Sequence, residues 1–281
     1  MDRYRNMPDY DLIAIDIDGT LLTSQNRISS SIFPLLRVVE ERGIGVTLIT
    51  GRPEATAGPL MKELGLSLPF VTSGGAQITD GKTGASVASF RLELETVRKL
   101  AELGREFGVR LMTMERQYLN FEGNIEDLGM VHEAVDIHLG NGERIRTRII
   151  PVEDIVQASP TPLKLTLSDQ PERLRPVEAK LRASNLPVYS TFSSPIYLES
   201  TNVQANKGTA LQLLARHLNI PMQRVLAIGD SPNDISMLKV AGLAVAMGNA
   251  GPAVREVAQL VAPSNDEDGV SWVLQEVVLK R

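Results

Sequence analysis

LIAIDIDGT at residues 12–20 opens the patterned part of the chain. Leu12 to Ile17 is apolar apart from Asp16, too short for a helix and bounded by polar clusters. Such a run reads as a strand buried in a parallel sheet. An isolated Asp-x-Asp pair is common in turns. At the end of an apolar strand and followed by Gly19-Thr20, it favours catalysis.

Working outward, Ser29 to Glu41 places Ile32, Leu35, Leu36 and Val39 on one helical face, with Gly43 as a stop. GVTLIT at 45–50 is a second buried strand, and Pro53 to Leu64 a helix ended by Gly65. Leu68 to Thr72 gives a third strand, with Gly74-Gly75 as a turn. This alternation predicts a doubly wound sheet. The far end repeats it, with helices over 207–218, 234–240 and near Ala253, and strands over 225–228, 243–247 and 260–262. A last helix carries Val270, Val273, Leu274 and Val277. The two ends should share one sheet.

The middle reads differently. Leu111 to Asn120 and Leu163 to Leu167 look like half-exposed strands, and Leu94 to Phe107 and Glu172 to Ser184 like amphipathic helices. The fold class expected is therefore α/β, a doubly wound parallel sheet with an inserted α+β domain. Residues 1–81 and 201–281 would form the core, and 82–200 the insertion.

Composition narrows the function. The 281 residues carry 43% hydrophobic and 22% charged side chains, an ordinary globular balance, and a net charge of −5. That charge gives no reason to expect nucleic acid or an anionic membrane as partner. An anionic substrate would need local cations or backbone amides. With no cysteine, disulfides, thiolate metal sites and a cysteine nucleophile are excluded. The polar first nine residues, and the lack of any apolar stretch of about 18 residues, predict a soluble, cytoplasmic protein.

Three polar clusters lie just past carboxyl ends of predicted core strands: Asp16 to Thr20, Thr50-Gly51-Arg52, and GDSPND at 229–234. Ligands of open parallel sheets bind outside those ends, so the clusters point at one site. Lys207, opening a helix, can reach the same edge. Carboxylates gathered in one pocket resist joint ionisation unless a cation neutralises them, and Mg²⁺ suits a few carboxylates plus phosphate oxygens. Glycines admit backbone N–H groups to an anion, and lysine adds a point charge. Together these ingredients suit phosphoryl transfer.

DIDGT at 16–20, Thr50 in ITGR, Lys207 in NKG and GDSPND at 229–234 resemble the four motifs of haloacid dehalogenase superfamily phosphatases. The closest likeness is to the Cof-like subgroup, whose α/β cap is inserted between the second and third motifs of a Rossmann-like core. AVAMGNA at 244–250 and SNDEDGV at 264–270 also look like that subgroup. Gly74-Gly75-Ala76 departs from its usual Asn-Gly-Ala. The resemblance implies an Mg²⁺-dependent phosphatase acting on a small phosphorylated metabolite: a sugar phosphate, phosphoglycolate or a phosphorylated cofactor. Asp16 would be the nucleophile and a metal ligand. Asp18 would be the general acid and base, with its carbonyl on the metal. Thr50, Gly51, Lys207 and Asn233 would hold the phosphoryl group. Asp230 would bind the metal, and Asp234 would support it through a water or by orienting Lys207.

Blander readings stand beside these. Asn233 and Asp234 suit a helix cap, which is compatible with metal support. Lys207 alone reads as a solvated lysine, and Lys164 as pointing outward from a strand. His132 and His138 read as surface or structural residues, Trp272 as core, and Met112 and Met114 as alternating strand residues. A phosphomutase using the same aspartyl-phosphate is the alternative enzyme. A receiver or phospho-ligand binding domain is disfavoured, because it has no need of Asp18 or of a cap.

Overall fold

All four side chains of β1 (Leu12–Ile15) are buried, because helices cover both faces of the sheet in which it is an interior strand. The computed structural model describes residues 10–116, 118–122, 146–150 and 154–280; His132 and His138 lie outside them. In chain order α1 (Ile32–Glu41), β2 (Gly45–Leu48) and α2 (Glu54–Glu63) follow β1. Three short strands come next: β3 (Phe70–Thr72), β4 (Gln77–Thr79) and β5 (Ser86–Ser89). Then come α3 (Leu94–Phe107), β6 (Arg110–Met114), β7 (Tyr118–Glu122), β8 (Arg146–Ile150), β9 (Lys164–Ser168), α4 (Pro171–Ala183), β10 (Val188–Ser194) and β11 (Tyr197–Asn202). The chain closes with α5 (Lys207–His217), β12 (Val225–Gly229), α6 (Ile235–Leu238), β13 (Leu243–Ala246), α7 (Pro252–Val257) and β14 (Leu260–Val261). A final helical stretch, Gly269–Trp272, continues as Val273–Leu279.

The two ends do share one parallel sheet, in the order β14-β13-β12-β1-β2. Ile13, Ile15, Val46, Leu48, Leu226 and Ile228 pack on one side with α1, α2 and the final helical stretch. Leu12, Ala14, Val225 and Ala227 pack on the other with α5 and α6. The order reverses at β1, which continues to β2 on one side and meets β12 on the other. This switch point opens a crevice at the carboxyl ends.

The third predicted strand is a partial correction. Residues 70–72 touch the parallel sheet only by a bridge between Ile49 and Val71, and they pair antiparallel with β4 in a three-stranded sheet, β3-β4-β5. The cause is the turn at Ser73–Gly75, which folds the chain straight back.

A six-stranded sheet, β10-β11-β9-β6-β7-β8, takes up the middle of the chain. The half-exposed reading of Leu163 to Leu167 does not hold, since all five residues are buried. Leu165 and Leu167 face a core built with α3 and α4, while Lys164 and Thr166 alternate onto the opposite face, where Lys164 reaches the loop after β2. Trp272 packs, half-buried, against the main core, and Met112 and Met114 share a small cluster with Leu119. No helix among the described residues is long and apolar enough to cross a membrane.

Candidate active site

Asp16 is the first residue beyond β1, and its N–H still donates to the Ile228 carbonyl at 3.1 Å. Leu21 N–H then bonds back to the Asp16 carbonyl and Leu22 N–H to that of Ile17, forming one wide turn. Gly19 makes the turn possible. Its φ is +77°, and a methyl group there would stand 2.4 Å from Asp230 Oδ2. Thr20 Oγ1 donates to the other oxygen of Asp230 at 2.8 Å, so the loop after β1 fixes the carboxylate after β12.

Lys207 enters at the start of α5, which a capping box sets: Asn206 Oδ1 accepts from Thr209 N–H at 2.9 Å, and Thr209 Oγ1 from Asn206 N–H at 3.1 Å. Gly75, at φ +105°, lets the β3–β4 turn lie against the Asn206 backbone, where a Cβ would meet the carbonyl oxygen at 2.4 Å. So placed, Lys207 is 1% exposed. Its Nζ donates to Asp16 Oδ1 at 2.7 Å and to Asp234 Oδ1 at 2.5 Å. Asp234 Oδ2 accepts from the N–H groups of Asp230 and Ser231 at 3.0 and 2.9 Å, and from Ser231 Oγ at 3.2 Å.

Carboxylate oxygens of Asp16, Asp230 and Asp234 lie within 4.8 Å of one another. Burial and the neighbouring Asp234 hold the Asp16 carboxyl well above its ordinary range despite Lys207. Burial, with Asp234 next, pushes Asp230 up to about 7. Burial alone would lower the Lys207 ammonium, but Asp16 and Asp234 outweigh it and raise it above its ordinary value. Excess negative charge and hard oxygen donors suit a divalent cation.

Of the remaining predicted residues, Thr50 is buried after β2, beside β1, and its Oγ1 accepts from Arg52 N–H at 3.1 Å. Asn233 Oδ1 accepts from Ser231 Oγ at 2.6 Å. The Asp18 side chain does not join the carboxylate cluster. Arg52 grips both its oxygens, Nε to Oδ2 at 2.8 Å and Nη2 to Oδ1 at 2.5 Å. The Gly51 carbonyl accepts from Lys164 Nζ at 2.7 Å.

Three residues at the site had no role assigned from sequence. Arg52 stood in the quoted ITGR without a task. Lys164, expected to point outward, is 2% exposed and pairs with Glu199 Oε1 at 2.6 Å. The signal lay in alternation: Lys164 and Thr166 between leucines, and Glu199 and Thr201 two apart, give polar faces that pair in register.

A family model described as haloacid dehalogenase-like hydrolase matches residues 13–274. The chain is 31% identical to a 5-amino-6-(5-phospho-D-ribitylamino)uracil phosphatase of Bacillus subtilis (strain 168), over 99% of this chain and 100% of that protein. It is 28% identical to the HMP-PP phosphatase of Serratia proteamaculans (strain 568), over 88% of this chain and 87% of that one. Among solved structures, a haloacid dehalogenase-like hydrolase from B. subtilis superposes with a TM-score of 0.83 at 26% identity, covering 95% of this chain and 99% of the other.

Proposed function

The chain belongs to the haloacid dehalogenase-like hydrolases and is a phosphatase of phosphorylated small molecules; from that premise we propose that it works through an aspartyl-phosphate on Asp16. The supporting observation is the Lys207 ammonium, 2.7 Å from Asp16 Oδ1, within a cluster of carboxylates too crowded to ionise together without a cation.

The parallel sheet with the β3-β4-β5 sheet then serves as the catalytic core, and the six-stranded sheet with its helices as the cap that shapes the substrate recess. Mg²⁺ fits the donor set, held by the carboxylates of Asp16 and Asp230 and the Asp18 carbonyl. When bound, it would neutralise charge on the phosphoryl oxygens and on the aspartates. Asp234 acts differently. Its oxygens are taken by Lys207 and by the Asp230–Ser231 backbone, so it orients the lysine.

In the first displacement Asp16 Oδ2, the oxygen Lys207 leaves open, attacks phosphorus as the bond to the leaving alcohol breaks. Asp18 hands that alcohol a proton. In the second, Asp18 takes a proton from water, the water oxygen bonds phosphorus, and the bond to Asp16 breaks to release phosphate. Lys207, Thr50, the Gly51 backbone and Asn233 hold the phosphoryl oxygens through both steps. Arg52 occupies both oxygens of Asp18 in this structure, so the acid–base role requires that fork to open when substrate enters.

The test is phosphate release from a panel of phosphomonoesters by wild type and Asp16→Asn, each with Mg²⁺ or EDTA. Release should need both Mg²⁺ and Asp16, the near-isosteric variant remaining folded. Turnover by Asp16→Asn within about tenfold of wild type would overturn the nucleophile assignment, since loss of a covalent nucleophile costs on the order of 10⁴-fold or more.

A further inference from the structure

The six-stranded sheet turns a polar face to the catalytic loops. Its register pairs Thr201 with Lys164 and Tyr189, and Glu199 with Thr166 and Thr191, so these side chains share one side of β9, β10 and β11. Lys164 Nζ reaches out of its own sheet to the Gly51 carbonyl at 2.7 Å, on the loop that carries Thr50, and to Glu199 Oε1 at 2.6 Å. Glu199 is thereby anchored through one oxygen. Its other oxygen, Oε2, accepts no hydrogen bond from the described residues. It stands 3.5 Å from where a methyl group on Gly51 would lie and 4.0 Å from the equivalent point on Gly74. A small recess opens there, lined by Gly74, Tyr189, Thr191, Glu199, Thr201 and Asn233.

Among those lining groups Glu199 carries the only formal charge, and its counter-charge is already directed to Gly51 and Oε1. A hydroxyl or amine brought to Oε2 completes its hydrogen bonding, whereas a second anion meets a carboxylate whose side chain is only 12% exposed. We propose that Glu199 is a specificity-determining residue of the phosphatase. Positioned by Lys164, it accepts a hydrogen bond from a hydroxyl or amine on the alcohol half of the substrate and rejects alcohol halves bearing a carboxylate or second phosphate. This rests on the reading of the Asp16 site as the phosphoryl-transfer centre. It places phosphoglycolate outside the preferred substrates and polyol or sugar phosphates within them.

The experiment compares matched esters that differ only in one terminal group: glycerol 3-phosphate against 3-phosphoglycerate, and ribitol 5-phosphate against 5-phosphoribonate. p-Nitrophenyl phosphate is the control for phosphoryl transfer. Wild type should favour the hydroxyl member of at least one pair by about tenfold or more in kcat/KM, as expected for like charges a few ångströms apart. Glu199→Gln should bring that ratio to within about twofold of unity. Because the ratio is taken within one sample, the fraction folded cancels. The double variant Lys164→Met/Glu199→Gln, which leaves neither charge buried alone, should lose the preference as well. Equal use of both members by wild type, with p-nitrophenyl phosphate hydrolysed, would overturn the role of Glu199 and leave the catalytic reading intact. So would an undiminished preference in Glu199→Gln. Wild type inactive on every ester would overturn the phosphoryl-transfer site itself, and the role of Glu199 with it.

Discussion

Asp16, Lys207 and Asp234 form a buried row in which one ammonium serves two carboxylates. Removing the ammonium leaves both carboxylates facing each other out of water, so Lys207→Met should lose about 3–5 kcal/mol of stability as well as activity. Urea unfolding of the metal-free protein would measure this, and an unchanged midpoint would contradict it. The pH dependence has a definite sign. Asp230 is pushed up to about 7 and Asp16 is raised, so between the ordinary carboxylate range and about pH 7 the metal-free fold holds more protons than the unfolded chain. Its contribution to stability is present at low pH and is lost as pH rises through about 7. A bound cation displaces those protons. The rise in melting temperature on adding excess Mg²⁺ should therefore grow from about pH 5 to about pH 7 and level off above. Thermal melts with Mg²⁺ or EDTA would check this, and a pH-independent rise would sink it.

At the scale of elements, the site depends on where strands stop and α5 starts. Asn206→Ala removes one half of the capping box that sets the start of α5. It should cost about 1 kcal/mol in urea unfolding and lower kcat more than stability alone explains, because Lys207 is the next residue. Unaltered kcat would show that α5 packing, not its cap, places Lys207. The buried strands were legible in the sequence because both their faces are covered, which writes a continuous apolar run such as LIAI or VLAI. The chemistry-bearing residues were legible because they sit directly after those runs. KLTLS misled for the opposite reason. Alternation marks one polar face, and it does not say whether that face meets water or another part of the protein. The antiparallel pairing of the short β3 with β4 was not legible because it depends on the turn between them, and Ser73, at φ +53°, adopts a left-handed conformation its residue type does not announce.

Across the whole molecule, residues far apart in sequence become one site because β1 lies between β12 and β2. The reversal of strand order brings the loops of Asp16, Thr50 and Asp230 to one edge. The order of motifs was enough to anticipate that convergence. It could not disclose the Arg52–Asp18 fork or the reach of Lys164 to the Gly51 carbonyl, since both depend on side chains bridging separate elements rather than on position along a strand. The net charge of −5 is likewise a property of the whole surface, and the cations that meet an anionic substrate are local. The covalent intermediate should accumulate in Asp18→Asn. That variant keeps the nucleophile and lacks the base that activates water. With Mg²⁺ and p-nitrophenyl phosphate, whose leaving group needs little protonation, acid-quenched protein analysed by mass spectrometry should carry a phosphoryl group on the peptide containing Asp16. The label should be absent from Asp16→Asn/Asp18→Asn. A label elsewhere, or p-nitrophenol released in proportion to phosphate with no labelled protein at any time, would contradict the account.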